Sequence, residues 1–172
     1  MPELIPVIKK DEIDSKVAEV ARRISNDYKD SELILVGILK GAFVFMSDLM
    51  RLLTIQVQTD FICASSYGSE TSTAGNIKLT KELGIDIQNK DVLIVEDIID
   101  TGLTLAYIIE YLKSFGPKSI SVCALLDKRE QRRVDIKIDY SCHVVEDGFL
   151  VGYGLDYAEN YRNLPEIYHL KL

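Results

Sequence analysis

Carboxylates, hydroxyls and a glycine are concentrated in one short segment of the 172-residue chain, residues 92–104. Four apolar residues, 92–95, predict a strand buried on both faces, and the adjacent acids Glu96 and Asp97 follow where that strand is expected to end. Asp100 then precedes Thr-Gly-Leu-Thr and a helical pattern. The amides and hydroxyls of such a turn favour a phosphate group, whereas the carboxylates favour sugar hydroxyls or a divalent metal. The segment therefore predicts a site for a phosphorylated ribose.

The same segment resembles the signature of the type I phosphoribosyltransferases in its hypoxanthine-guanine form. Further motifs follow in the family's order, so the resemblance extends over about residues 33–162. It implies an enzyme of purine salvage that transfers the ribose 5-phosphate of 5-phosphoribosyl-1-pyrophosphate (PRPP) to N9 of hypoxanthine or guanine, with Mg²⁺ as cofactor. The products would be inosine or guanosine monophosphate (IMP or GMP) and pyrophosphate.

The resemblance also implies a role for each polar residue of the segment. Asp100 matches the catalytic aspartate that takes a proton at purine N7, although an Asp before a helix is often only its N-cap. Glu96 and Asp97 match the pair that binds the ribose hydroxyls, directly or through Mg²⁺. Because side chains alternate along a strand, these two are expected to point in opposite directions, which would leave one as a support for the backbone. The implied 5-phosphate contacts are Asp100, Thr101, Gly102, Leu103 and Thr104.

Pyrophosphate contacts are implied elsewhere in the chain. Leu39-Lys40-Gly41 matches the family's pyrophosphate loop, in which the Leu39–Lys40 peptide is expected to be cis. The charged run 128–132 follows a predicted strand; such runs are mostly solvated faces, but the resemblance assigns its last arginine to pyrophosphate. The implied pyrophosphate contacts are Lys40, Gly41, Arg132 and Arg162.

The purine pocket and a lid are implied by two further segments. Lys128 matches the residue that donates to the purine 6-oxo group. Phe149 matches the aromatic residue that stacks on the base, although on its own it would be typical of a half-buried strand. Ser66 and Tyr67 open a long loop, about residues 65–81, that matches a mobile lid, whereas composition alone favours a loop without function. The implied purine contacts are Lys128, Phe149, Leu150 and Asp156, and the implied metal ligands are Glu96, Asp97 and Asp156.

Strands alternate with helices along the chain, which predicts parallel βαβ units with ligands at the carboxyl ends of the strands. The resemblance implies the α/β fold of the type I phosphoribosyltransferases, a mostly parallel sheet flanked by helices, with a small hood from both ends of the chain. A single domain, residues 1–172, is expected, with a core at about 33–130 and a purine-binding hood at about 1–12 and 131–172. The predicted elements are helix 11–28 (capped by Asp11), strand 33–39, helix 41–53, strand 55–64, loop 65–81, strand 91–95, helix 101–115, strand 119–126 and short strands within 134–157.

Composition limits the partners of this chain. Twenty Lys and Arg against twenty-seven Asp and Glu give a net charge of −7, which argues against non-specific nucleic-acid binding. No apolar stretch approaches the roughly 20 residues of a membrane span, and the N-terminus has no secretory pattern. Cys63, Cys123 and Cys142 are widely spaced, which indicates reduced thiols and a cytoplasmic protein. The resemblance implies a homodimer or homotetramer.

Two rival functions are compatible with much of the sequence. A related transferase for xanthine would use the same PRPP site with a different base pocket. A non-catalytic regulator on the same fold would bind nucleotides and RNA, but the negative net charge and the presence of Asp100 argue against it. A P-loop phosphotransferase is excluded because no Gly-x-x-x-x-Gly-Lys-Ser/Thr sequence occurs.

Overall fold

The computed structural model describes residues 2–66 and 77–171. Within these segments no helix is long and apolar enough to cross a membrane. The described elements are, in chain order, β1 (Glu3–Ile8), α1 (Lys10–Asp27), β2 (Leu33–Leu39), α2 (Phe43–Leu52), β3 (Val57–Ser66), β4 (Ile77–Lys81), β5 (Asp91–Ile99), α3 (Leu103–Lys113), β6 (Ser119–Lys128), β7 (Tyr140–Val145), β8 (Leu150–Val151) and β9 (Ile167–Lys171).

Six of these strands form the central sheet, in the order β4-β3-β2-β5-β6-β7. All neighbouring pairs are parallel except β3 and β4, which are antiparallel at one edge. The carboxyl ends of β2, β5 and β6 therefore meet at one edge of the sheet, where ligands of such sheets bind. This arrangement confirms the α/β fold with a mostly parallel sheet.

The central strands are buried because helices cover both faces of the sheet. Residues 92–95 of β5 are fully buried, as their apolar run predicts. One apolar cluster joins Leu93 of β5 to residues of α1 and α2. A second cluster, on the opposite face, joins Ile94 of β5 to residues of α3 such as Ile108. This packing fixes the end of β5, and with it the polar segment that follows.

A second, smaller sheet has the order β1-β9-β8 and is antiparallel. Its strands come from both ends of the chain, as expected for the hood. The first residue of β8, Leu150, pairs with His169 of β9, and the amide of Leu170 donates to the carbonyl of Phe149. The small sheet therefore fixes the position of the backbone at Phe149.

Two predicted boundaries around the polar segment are wrong. The strand does not end before Glu96: β5 continues to Ile99, because Ile98 and Ile99 still pair with Leu126 and Asp127 of β6. The helix begins at Leu103 instead of residue 101. The acid pair thus lies inside a strand, and the turn that follows contains only three residues, 100–102.

Three other expectations also need correction. Residues 77–81 of the predicted loop form β4, which pairs with the end of β3; Tyr67 and residues up to 76 lie outside the described segments. Helix α1 is capped by Lys9 and not by Asp11, because the carboxylate of Glu12 accepts a hydrogen bond from the Lys9 amide. The predicted core, 33–130, ends too early, since β7 is the edge strand of the central sheet.

Candidate active site

The strand ends bring three predicted site residues to one edge of the central sheet. Lys40 follows β2, Asp100 follows β5, and Lys128 is the last residue of β6. A cavity of about 230 Å³ at this edge is lined by residues 96–102, 104 and 105. A larger cavity, about 630 Å³, lies between α3 and residues 134–139, but no predicted site residue lines it. The smaller cavity is therefore the candidate site.

The turn from Thr101 to Leu103 has the form of an anion site. Gly102 has φ +84°, a left-handed conformation that glycine adopts without strain, and it caps α3 through its carbonyl, which accepts from the amide of Ala106. Within the described segments, the amides of Thr101 and Gly102 have no protein acceptor. Since Gly102 is the cap, the interpretation of Asp100 as the N-cap of this helix is wrong.

Asp100 has one oxygen without a hydrogen-bond donor. Its Oδ1 is buried and unpaired within the described part of the chain, and its Oδ2 lies 3.7 Å from Nζ of Lys128. The Lys128 ammonium is closer to Asp147, at 3.0 Å, and also donates to the carbonyl of Gly148 at 3.2 Å. The hydrogen bond from Lys128 lowers the pKa of the exposed Asp147 carboxyl. The sequence predicted only a turn at Asp147.

Glu96 and Asp97 form an acid pair within β5, in which Glu96 is buried and Asp97 is half-buried. Oε1 of Glu96 accepts from the Asp97 amide at 3.1 Å, and Oδ1 of Asp97 accepts from the Ile98 amide at 2.7 Å. Burial raises the pKa of Glu96 well above its usual value, and the neighbouring charge of Asp97 adds to this. Burial also raises the pKa of Asp97, against the effect of Arg162.

Strand alternation predicted that these two side chains point in opposite directions; in the structure each carboxylate accepts a hydrogen bond from the amide of the next residue, Asp97 for Glu96 and Ile98 for Asp97. The extra methylene of Glu96 lets its side chain turn back past its own backbone to the amide of Asp97. Both residues line the 230 Å³ cavity.

The predicted pyrophosphate loop, residues 39–41, lies against Asp97 of the acid pair. The Leu39–Lys40 peptide is cis, as the resemblance implied. A Cβ on Gly41 would collide with the Asp97 carboxylate, and a Cβ on Gly154 would collide with the carbonyl of Gly41. Two glycines thus allow three segments of the chain to come into direct contact, a placement that the sequence did not reveal.

The cations proposed for pyrophosphate are paired with acids. Nζ of Lys40 lies 2.9 Å from the carboxylate of Glu159, and Nη2 of Arg162 lies 3.4 Å from the same carboxylate. Arg162 also pairs with Asp156 at 2.9 Å and donates to the carbonyl of Gly154 at 2.8 Å. The hydrogen bond from Lys40 is the main reason that the pKa of Glu159 is lowered. Sequence patterns gave no signal for Glu159.

Arg132, an implied pyrophosphate contact, has its guanidinium against the backbone of the turn that follows β5. Its guanidinium donates to the carbonyl of Asp100 at 2.9 Å and to the carboxylate of Asp127 at 2.6 Å, with longer contacts to the carbonyls of Ile99 and Lys128. All of these acceptors belong to β5, β6 and their ends. The physical reason is the buried Asp127 carboxylate, which draws the guanidinium beneath the turn.

Two purine contacts implied by the resemblance differ in their exposure. The ring of Phe149 is exposed and meets Tyr157 edge to face, with centroids 5.3 Å apart. The side chain of Leu150 belongs to the apolar core, so only its backbone is free to contact a ligand. The backbone of Ser66 ends β3, and Tyr67 lies outside the described segments, so the lid stays a prediction.

The donor set of the site fits a magnesium ion held jointly with substrate. Within residues 2–66 and 77–171, no three His, Cys, Asp or Glu side chains are arranged as a metal cage. Mg²⁺ is usually bound by one or two carboxylates together with substrate phosphates and water. Glu96 and Asp97 supply such oxygens beside the cavity.

Comparisons with known proteins agree with this geometry. A family model described as the phosphoribosyl transferase domain matches residues 9–158. The hypoxanthine phosphoribosyltransferase of Salmonella typhimurium is 48% identical over 163 residues, which cover 94% of this chain and 92% of that protein. The hypoxanthine-guanine phosphoribosyltransferase of Bacillus subtilis is 45% identical over 165 residues, covering 96% and 92%.

A solved structure extends the agreement to three dimensions. The crystal structure of a hypoxanthine-guanine phosphoribosyltransferase from Bacillus anthracis superposes with a TM-score of 0.94 at 41% identity and covers 100% of both chains. Sequence, fold and crevice therefore lead to one conclusion: the chain belongs to the phosphoribosyl transferase family.

Proposed function

We propose that this chain transfers the 5-phosphoribosyl group of PRPP to N9 of hypoxanthine and guanine, which gives IMP or GMP and pyrophosphate. The observation that carries the proposal is the Oδ1 of Asp100, which is buried and has no partner among the described residues, while the Oδ2 of the same carboxylate lies 3.7 Å from Nζ of Lys128. A proton acceptor in that place suits a reaction in which a purine loses a proton beside a bound ribose phosphate. This reaction belongs to purine salvage, and we expect it in the cytoplasm.

PRPP would lie along the edge formed by β5 and the loop after β2. The 5-phosphate would accept hydrogen bonds from residues 101–104 at the start of α3, of which Thr101, Gly102 and Thr104 line the cavity. The ribose hydroxyls would contact Glu96 and Asp97. The pyrophosphate would contact Lys40, the amide of Gly41 and Arg162, which lie together across the crevice.

The purine would enter between Phe149 and the end of β6. The exposed ring of Phe149 offers a face for stacking, and Lys128 offers a donor for the 6-oxo group. The backbone of Leu150 and the region of Asp156 would meet the remaining edge. Because Lys128 only donates, it favours a 6-oxo group over the 6-amino group of adenine.

Glu96 and Asp97 would hold Mg²⁺ together with the ribose hydroxyls and the pyrophosphate, and Asp156 is a candidate ligand for a second ion. When bound, Mg²⁺ would neutralise negative charge that develops on the leaving group. Lys40 and Arg162 act in the same direction through their own charges.

The chemistry would proceed by departure of pyrophosphate from C1 of the ribose largely before N9 bonds to the same carbon. Positive charge then develops on the ribose, next to the acid pair on β5. Asp100 would accept the proton from N7 or hold the N7–H group while the new bond forms. Arg132 is left out of the pyrophosphate site because its guanidinium is bound beneath the turn.

The test is the initial rate with PRPP and Mg²⁺ and each of hypoxanthine, guanine, xanthine, adenine and uracil in separate assays. We expect turnover of hypoxanthine and guanine that a chelator abolishes. Turnover of xanthine or uracil alone would be consistent with the proposed PRPP site but would contradict the proposed base. PRPP binding without turnover of any base would overturn the proposed activity.

A further inference from the structure

Two consecutive residues of another loop, Arg132 and Arg133, donate hydrogen bonds to the carbonyls of the turn that follows β5. Nε of Arg132 donates to the carbonyl of Asp100 at 2.9 Å, and Nη2 of the same side chain contacts the carbonyl of Ile99 at 3.4 Å. The backbone amide of Arg133 donates to the carbonyl of Thr101 at 2.9 Å. Three successive carbonyls, the last one of β5 and the first two of the turn, therefore point to the same loop.

These contacts determine where the amides of the turn point. In a planar trans peptide, the carbonyl of one residue and the N–H of the next point in opposite directions. Holding the carbonyls of Asp100 and Thr101 on the Arg132 side therefore directs the N–H groups of Thr101 and Gly102 to the other side. Thr101 and Gly102 line the 230 Å³ cavity, and within the described segments their amides have no protein acceptor.

Arg132 is itself held rigidly. Its Nη2 lies 2.6 Å from Oδ1 of Asp127, and both side chains are largely buried, at 18% and 5% exposure. The stem of Arg132 also lies directly beneath Gly102, where an added Cβ would be 3.2 Å from Cδ. A planar guanidinium can bind Asp127 and two carbonyls at once, whereas a lysine ammonium cannot reproduce this geometry.

We propose that Arg132, held by Asp127, is a positioning residue that aims the amides of Thr101 and Gly102 at the 5-phosphate and is not a pyrophosphate ligand. The inference rests on the proposed function in one respect, that the turn binds the ribose 5-phosphate. It adds an assignment of Arg132 and Asp127 to the support of that turn. It also predicts that substitution of Arg132 weakens the binding of ribose 5-phosphate but not that of pyrophosphate. This difference can be measured without turnover.

The experiment compares the binding of ribose 5-phosphate and of magnesium pyrophosphate by calorimetry in Arg132→Lys and the wild type. We expect ribose 5-phosphate to bind about tenfold to a hundredfold more weakly, because displaced donors no longer meet the phosphate. Pyrophosphate binding should change less than about twofold, since Lys40 and Arg162 do not contact Arg132. Arg162→Lys should show the opposite pattern.

Arg129→Lys is the matched control. Arg129 pairs with the same Asp127 carboxylate at 2.8 Å, but its side chain is 69% exposed and does not touch the turn. We expect both anions to bind to this variant as to the wild type. Asp127→Asn is the second test variant, and it serves as the test if the Arg132→Lys protein does not fold. It should also weaken the binding of ribose 5-phosphate.

A loss confined to pyrophosphate would make Arg132 a pyrophosphate ligand and overturn the inference. Equal losses for both anions, or no loss for either, would also overturn it. A wild-type protein that binds both anions but turns over no base would contradict only the proposed function. A wild-type protein that does not bind ribose 5-phosphate would contradict both.

Discussion

The charges around Asp100 are arranged so that one carboxylate oxygen stays free. Lys128 is the nearest cation, but it shares its positive charge with Asp147 and the carbonyl of Gly148, both closer than the 3.7 Å to Asp100. A carboxylate oxygen that no protein group occupies can accept a hydrogen bond from a ligand. Asp147 therefore has two effects, because it keeps Lys128 in place and leaves Asp100 available.

Asp100→Asn should lower turnover by about two to four orders of magnitude, the range of general acid–base catalysis. The amide keeps the shape of the side chain but cannot take a proton, so PRPP should bind with a dissociation constant within about threefold of the wild-type value. Single-turnover rates with hypoxanthine and PRPP titrations measure the two effects. Asp135→Asn, at an exposed aspartate outside the crevice, is the control. Turnover near wild type would remove Asp100 from the proposed role.

Glu159→Gln should tighten pyrophosphate binding by about twofold to fivefold. The carboxylate of Glu159 lies between Lys40 and Arg162 and competes with pyrophosphate for both cations. The effect is small because exposed ion pairs contribute only about 0–1 kcal/mol. Product inhibition by pyrophosphate is the measurement, and Glu130→Gln, another exposed glutamate, is the control. Weaker or unchanged inhibition would show that Glu159 does not compete.

At the scale of elements, the sequence predicts the bounds of those strands that depend on local residue patterns. The predicted strand 33–39 matches β2, because the strand contains no polar side chain and its bounds coincide with those of the apolar run. The end of β5 is predicted too early, since pairing of Ile98 and Ile99 with β6 outweighs the polarity of the acids before them. Likewise β4 has few apolar residues, and its pairing with β3 is what makes it a strand.

The same distinction applies to the site. Lys40, Asp100 and Lys128 were predictable because each follows or ends a buried strand, and parallel strands bring their ends together. The position of Arg132 depends on a buried carboxylate five residues earlier in the chain, and the position of Glu159 on a turn that crosses to Lys40. Such contacts join segments that have no shared pattern in the sequence.

Asp60 anchors the chain that follows β4, and its removal should make stability depend less on pH. Its Oδ2 accepts from the amides of Gly84 and Ile85, and Lys81 lies 3.1 Å from its Oδ1. Burial alone would raise the pKa of Asp60, but hydrogen bonds from Gly84, Phe61 and Lys81 outweigh it and lower the pKa. A lowered pKa stabilises the fold above the unfolded value of about 3.9, and this contribution is lost as pH falls through the folded pKa.

Asp60→Asn should therefore cost about 1–3 kcal/mol of unfolding free energy at pH 7, the range for hydrogen bonds to a charged group. At about pH 3 and below, the two proteins should approach equal stability, because the wild-type carboxyl is then increasingly protonated. Urea unfolding at both pH values measures the difference. Asp86→Asn is the control, at an exposed aspartate whose carboxylate accepts from the Gln88 amide. A difference that is the same at both pH values would contradict the charged role of Asp60.

At the scale of the whole molecule, the small sheet and the central sheet meet at the site. The segment after β8 brings Gly154 against the carbonyl of Gly41, which in turn lies against the Asp97 carboxylate. Arg162 links the same segment to Glu159 and thereby to Lys40. The crevice is thus completed by close contact between parts of the chain more than a hundred residues apart, so its geometry should depend on that contact.

Gly154→Ala should disturb both stability and PRPP binding. Its φ of +100° strains any L side chain, and the new methyl would collide with the Gly41 carbonyl, so the combined cost is about 2–5 kcal/mol. Displacing the pyrophosphate loop should weaken PRPP about tenfold or more. Gly116→Ala is the matched control, because its φ of +69° carries a similar backbone cost but its nearest atom is 3.9 Å away. Urea unfolding and PRPP titration compare the two variants. Equal stabilities with unchanged PRPP affinity would show that this contact does not shape the crevice.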